Sequence, residues 1–157
     1  MKTLIVSKSI HHKNTEKIAH VFAEVLDGQV KTPEQTDPDE LRGYDLVGIG
    51  SGIYDRRHHD TVLELANRLP PVADKRAFIF STSGILTKRK VASDHSTLRG
   101  ILESKGYTIV DEFSCPGFNT NAFLKYFGGM NKGRPNAEDL ARARQFASNL
   151  RQDVRGS

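Results

Sequence analysis

Apolar and polar positions alternate in blocks along this chain, and each block has its own period. Residues 2–7 hold the continuous run Leu4-Ile5-Val6, the pattern of a strand buried on both faces. Over residues 14–27 the apolar positions fall at Ile18, Val21, Phe22, Val25 and Leu26. That spacing makes one apolar helix face, and Asp27-Gly28 supplies the stop. A short second strand is predicted near Gln29–Thr32. Pro33, Pro38 and the acids around them mark a loop, with a short helical turn at Pro38–Arg42. Tyr44–Gly50 reads as the third strand, ending in Gly-Ser-Gly. A helix follows over 58–68, closed by Pro70-Pro71. Lys75–Ser81 is the fourth strand. Ser96–Lys105 forms most of a helix that Gly106 closes, and Tyr107–Ser114 is the fifth strand. Asn136–Leu150 is the last helix, with Leu140, Ala143, Phe146, Ala147 and Leu150 on its inner face.

Strands and helices therefore alternate from end to end. Right-handed crossovers then predict an α/β fold, a parallel sheet with helices on both faces. Ligands of such sheets sit beyond the carboxyl ends of the strands. Three loops at those ends, 7–15, 50–55 and 81–85, are rich in small and hydroxyl residues.

The first loop leads from a strand into a helix, whose first-turn N–H groups lack partners and carry partial positive charge. Ser9, Asn14 and Thr15 add donors, so the corner suits a phosphate. Plain capping of the helix by Asn14 or Thr15 is the simpler alternative, but it calls for neither Ser7 nor Ser9. The segment has no glycine-lysine-serine/threonine ending and no G-x-G-x-x-G, which argues against a nucleoside-triphosphate loop and a dinucleotide fingerprint. In the second loop, Gly50-Ser51-Gly52-Ile53-Tyr54-Asp55, the glycines allow close backbone approach, and Ile53 and Tyr54 offer faces to a planar ring. A glycine-rich turn covering the sheet end explains that loop equally well. The third loop, Ser81-Thr82-Ser83-Gly84-Ile85, offers donors to the polar edge of a heterocycle, or is an ordinary strand-to-helix connection.

Size and charge narrow the classes. The 157 residues suit one domain over 1–157, with a core of about 1–150. No run is long and apolar enough to span a bilayer. The single Cys115 forms no internal disulfide, which fits the cytoplasm, and it reads as a core-edge residue rather than a nucleophile. The net charge of +4 is mildly basic and leaves room for an acidic partner. No Lys/Arg tract is interleaved with aromatics, so nucleic acid is not the expected partner. His11-His12 and His58-His59 invite a metal, but adjacent residues seldom aim at one ion, and no metal is expected. His11 and His12 are expected to shape the anion loop, and His58 and His59 to open the following helix. No G-x-S-x-G elbow is present, and no residue stands out as an acid, base or covalent catalyst.

With these residues in view, the chain resembles the flavodoxin family over nearly its whole length. Lys2–Val6 with Ser7 to Ala19 resembles the family's phosphate loop and first helix. Tyr44 to Tyr54 is similar to its third strand and flavin-flanking loop, and Arg76–Gly84 to its fourth strand and ring-facing loop. Gly117-Phe118-Asn119-Thr120, followed by Asn131 to Asn136, resembles a subgroup of small stand-alone members. The resemblance implies a flavodoxin-like doubly wound sandwich with five parallel strands in the order 2-1-3-4-5. It implies FMN as cofactor, the phosphate at Ser9, Ile10, His11, His12, Lys13, Asn14 and Thr15. The ring would lie between Gly52, Ile53, Tyr54 and Thr82, Ser83, Gly84, Ile85, with Gly117 and Phe118 beside it. The implied function is electron transfer with a redox protein partner. The rival is an FMN-dependent oxidoreductase reducing a quinone or related small acceptor, a porphyrinogen included. A phosphorylated receiver domain would need acids after the first strand, where this chain has Ser7-Lys8-Ser9. A flavin-free interaction module is a further alternative for the same fold. Two departures stand out. Lys13 occupies the place of the family's glycine in a loop one residue longer, and Arg56, Arg57, His58 and His59 replace the usual acidic surroundings.

Overall fold

The computed structural model describes residues 1–9, 13–84, 87–116 and 135–156. Five parallel strands form the sheet: β1 (Thr3–Lys8), β2 (Gln29–Lys31), β3 (Leu46–Tyr54), β5 (Lys75–Ser83) and β6 (Tyr107–Pro116). Their spatial order is β2-β1-β3-β5-β6. This is the expected order 2-1-3-4-5, since β4 (Arg57–His58) is a short extra strand paired antiparallel to the end of β3. The five parallel strands are those expected, and β4 adds a sixth, antiparallel strand off their path.

Four helices cover it: α1 (Asn14–Leu26), α2 (Asp60–Arg68), α3 (Lys88–Ser104) and α4 (Ala137–Arg155). The starts of α2 and α3 differ from the sequence reading, and β3, β5, β6 and α4 run further at their carboxyl ends. α2 starts at Asp60 rather than 58, because Arg57 and His58 are drawn into the hairpin with Tyr54 and Ile53. α3 starts at Lys88 rather than Ser96, because Thr87 caps it by accepting from the Lys90 N–H at 3.1 Å. The polar first half of α3 hides that start from a search for apolar periodicity.

Alternation along each strand divides the core in two. Leu4, Val6, Val47, Ile49, Ala77 and Ile79 pack with residues of α2 and α3. Ile5, Leu46, Phe78, Phe80 and Phe113 pack with α1 and α4, where the Phe22 ring stands edge-on to Phe78, Phe80 and Phe113. Gly48 pairs with Phe78 in register, and a Cβ there would fall inside the Phe78 ring, so the glycine is what lets that ring lie across β3. Cys115 is buried within the second core, as its core-edge reading anticipates. No described helix is long and apolar enough to cross a membrane.

Candidate functional site at the carboxyl edge of the sheet

β1, β3 and β5 end side by side. The parallel register places Lys8 opposite Ser51, Ser51 opposite Ser81, and Ser81 opposite Ser114 of β6. The apolar sheet thus gives way at this edge to a row of hydroxyls.

At the first corner, Lys13 takes the N-cap position of α1 with φ 53° and ψ 32°, the left-handed region that favours glycine. It contributes no side-chain cap. The departure from the family's glycine therefore leaves the backbone in the glycine-like conformation and adds strain. Ser9 Oγ instead accepts from the Glu16 N–H at 2.8 Å. Thr15 Oγ1 meets Thr82 Oγ1 at 2.9 Å, linking the first turn of α1 to the end of β5. Ser7, 5% exposed and on the α1 side of β1, has a hydroxyl with no partner among the described residues. A buried hydroxyl without a partner costs free energy unless something else satisfies it. Ile10, His11 and His12 lie outside the described residues.

The second segment is a strand end rather than a loop: Gly52, Ile53 and Tyr54 continue β3. Asp55 and Arg56, at φ 51° and 66°, make the two-residue turn into β4. The Tyr54 ring is half-buried and stands edge-on to the His59 ring at 5.2 Å. Burial raises the Tyr54 phenol above its ordinary value. A Cβ at Gly52 would sit 3.0 Å from the Tyr54 hydroxyl, so the tyrosine folds back along bare backbone. Arg56 and Arg57 are exposed beside it. His59 does open α2, its Nδ1 accepting from the Thr61 N–H at 3.1 Å, whereas His58 is 1% exposed and belongs to β4.

In the third segment, Thr82 and Ser83 belong to β5 and Gly84 follows it. Ile85, Gly117 and Phe118 lie outside the described residues. Beneath this segment is an arrangement the sequence did not show. Ser81 Oγ lies 2.7 Å from His95 Nε2, and His95 Nδ1 lies 2.9 Å from Glu112 Oε1. Arg99 clamps both oxygens of Glu112 at 2.8 and 2.7 Å. Burial works to raise the Glu112 carboxyl, but hydrogen bonds from His95 and Arg99 outweigh it and hold the group down to about 2. Burial, with the neighbouring His95 ring, pushes His58 down to about 3. Ser81, His95 and Glu112 come from three different elements, and no spacing in the chain could have joined them.

A family model described as a flavodoxin domain matches residues 5–121. An uncharacterized protein of Methanocaldococcus jannaschii is 43% identical over 150 residues, covering 96% of this chain and 98% of that protein. Among solved structures, oxidised Flavodoxin 2 from Bacillus cereus superposes with a TM-score of 0.74 at 18% identity, over 98% of this chain and 99% of the other. The apo form of an NADH:FMN oxidoreductase superposes at 0.59 with 17% identity, over 95% and 89%.

Proposed function

Because this chain belongs to the flavodoxin family, we propose that it is an electron carrier that holds FMN at the carboxyl edge of its sheet. The carrying observation is the donor-lined corner between β1 and α1. Ser7 keeps a buried hydroxyl without a described partner, and no side chain of Lys13 caps the helix. A phosphate there would satisfy the Ser7 hydroxyl and meet the partial positive charge of the helix N-terminus. Ser9, Asn14 and Thr15 are the side chains that would hold it. Gly52, Ile53 and Tyr54 would flank one side of the ring, and Thr82, Ser83 and Gly84 the other. Redox chemistry is what FMN supplies when bound. The chain's own residues bind it, orient it and set the charge around it. The exposed Arg56 and Arg57 suit a redox partner protein with an acidic docking face.

The test is direct. The purified protein should show flavin absorbance, or should quench FMN fluorescence on titration and gain thermal stability as it does so. No quenching and no stabilisation at saturating FMN would overturn the assignment.

A second reading is an FMN-dependent oxidoreductase acting on a quinone or a related small acceptor. It is favoured by the same two exposed arginines, which suit an anionic acceptor such as a porphyrinogen carboxylate. Steady-state turnover of NAD(P)H with a quinone by the protein alone would support it, since a carrier shows none without a reductase.

A further inference from the structure

Arg99, Glu112, His95, Ser81 and Ser114 form one continuous hydrogen-bonded chain through α3, β6 and β5. Serine, histidine and carboxylate in this order are the layout of an activated nucleophile. Here that role is closed off. Ser81 is 1% exposed, and its oxygen lies between His95 Nε2 and the Ser114 hydroxyl, 3.0 Å away. No substrate carbon can approach it.

The arrangement suits the movement of a proton instead. His95 Nδ1 faces a carboxylate that can only accept, so Nδ1 carries a hydrogen. With His95 neutral, the Ser81 hydroxyl donates to Nε2 and accepts from Ser114. With His95 charged, Nε2 donates to Ser81, and the Ser81 hydrogen turns to Ser114. Ser114, Ser81, His95 and Glu112 are thus all hydrogen-bonded to one another along this relay in both states. His95 is fully buried, and Glu112 supplies the balancing charge.

The groups that face this imidazole come from several elements. From β4, the His58 ring lies 5.0 Å from the His95 ring, and its Nε2 donates to the Phe80 carbonyl at 2.9 Å. The depressed value of His58 keeps it neutral. On α3 itself, Asp94 is paired to Lys90 and Arg99 to Glu112. From α2, Val62, Leu65 and Ala66 join the core, while Glu64 and Arg68 are exposed. β5 brings the Ser81 hydroxyl.

We propose that His95 is the proton-accepting group of the redox site, reached through Ser114 and Ser81. The inference rests on the flavin reading, because Ser81 immediately precedes Thr82, Ser83 and Gly84 on the ring-facing side. When an external reductant adds an electron to the site, one proton enters from water. Ser114 receives it and passes its own hydrogen to Ser81. Ser81 passes its hydrogen to His95, where a new N–H bond forms at Nε2. One negative charge gained is thereby matched by one positive charge on the imidazole.

Nuclear magnetic resonance of the FMN-loaded wild-type protein, carrying isotope-labelled histidine, tests this. Spectra are taken oxidised and dithionite-reduced at one pH, with His95→Gln for assignment. The expected result is that His95 Nε2 changes from an acceptor nitrogen to an N–H nitrogen on reduction, while His58 is unchanged. The midpoint potential should also depend less on pH in His95→Gln than in the wild type. His95 nitrogen signals identical in both redox states would overturn the proposal. FMN titration by fluorescence comes first. A protein that binds no FMN overturns the flavin reading and this inference together, whereas bound FMN with an unresponsive His95 overturns only this one.

Discussion

The hydroxyl of Thr15, in the first turn of α1, meets the hydroxyl of Thr82, near the end of β5, at 2.9 Å in a buried setting. This bond ties the corner proposed for the phosphate to the segment proposed for the ring. Thr82→Val should leave the Thr15 hydroxyl buried without its partner and destabilise the protein by about 1–3 kcal/mol. Restoring balance with Thr15→Val should recover part of that loss. Denaturant unfolding of the two single variants and the double variant measures the coupling, expected near 1 kcal/mol. Strict additivity would show that the bond contributes nothing.

Ser7 separates a structural role from a ligand-binding one. Its hydroxyl is buried and has no described partner. Ser7→Ala should leave the ligand-free protein as stable or raise its stability by about 1 kcal/mol, since a desolvation cost is removed. The same change should weaken FMN binding by roughly tenfold, the loss of about one hydrogen bond to a charged group. Fluorescence titration and thermal melts of the same sample read both effects. A destabilised variant with unaltered FMN affinity would assign Ser7 to the fold alone.

Acid should unfold this protein in two windows. His58 has an ordinary value of 6.5 and stands at about 3 in the fold. Between those values the unfolded chain binds more protons, so stability falls as pH drops through that interval. The loss is about 2 kcal/mol by about pH 5. Glu112, held at about 2 against an ordinary 4.5, adds a second loss that begins only below 4.5. Urea midpoints across pH should show both. His58→Gln, which can still donate to the Phe80 carbonyl, should flatten the upper window and leave the lower one.

Arg56 and Arg57 stand exposed beside the strand end proposed to flank the ring. Cations there favour negative charge on the site. The Arg56→Glu/Arg57→Glu double variant should shift the low-potential couple to more negative values, on the order of tens of millivolts at low ionic strength. Added salt should shrink the shift, because these charges face water. An unchanged midpoint in a redox titration would reject the electrostatic account.

Much of the fold was legible because each element carries its own periodicity. Leu4-Ile5-Val6 and the Phe22 face of α1 could be placed without knowing any neighbour. The start of α3 was not legible, since Lys88 to Ser96 holds mostly polar residues and its signal is a Thr87 cap formed only by local folding. The β4 hairpin was missed for a related reason. Two positive-φ residues, Asp55 and Arg56, are not a usual turn pair, and the pairing of Ile53 with His58 is what holds them.

What the amino-acid order determined by itself was the alternation of strand and helix, the two-sided burial of the strands, and the hydroxyl-rich ends of three of them. These are local properties, fixed by side-chain volume, polarity and spacing. Tertiary structure alone decided that Ser81, His95 and Glu112 meet, that His58 is buried neutral against His95, and that Thr15 reaches Thr82. Each of those contacts joins residues from separate elements. They exist because the parallel register aligns the strand ends and the helices then close over them, excluding the water that would otherwise have met these groups.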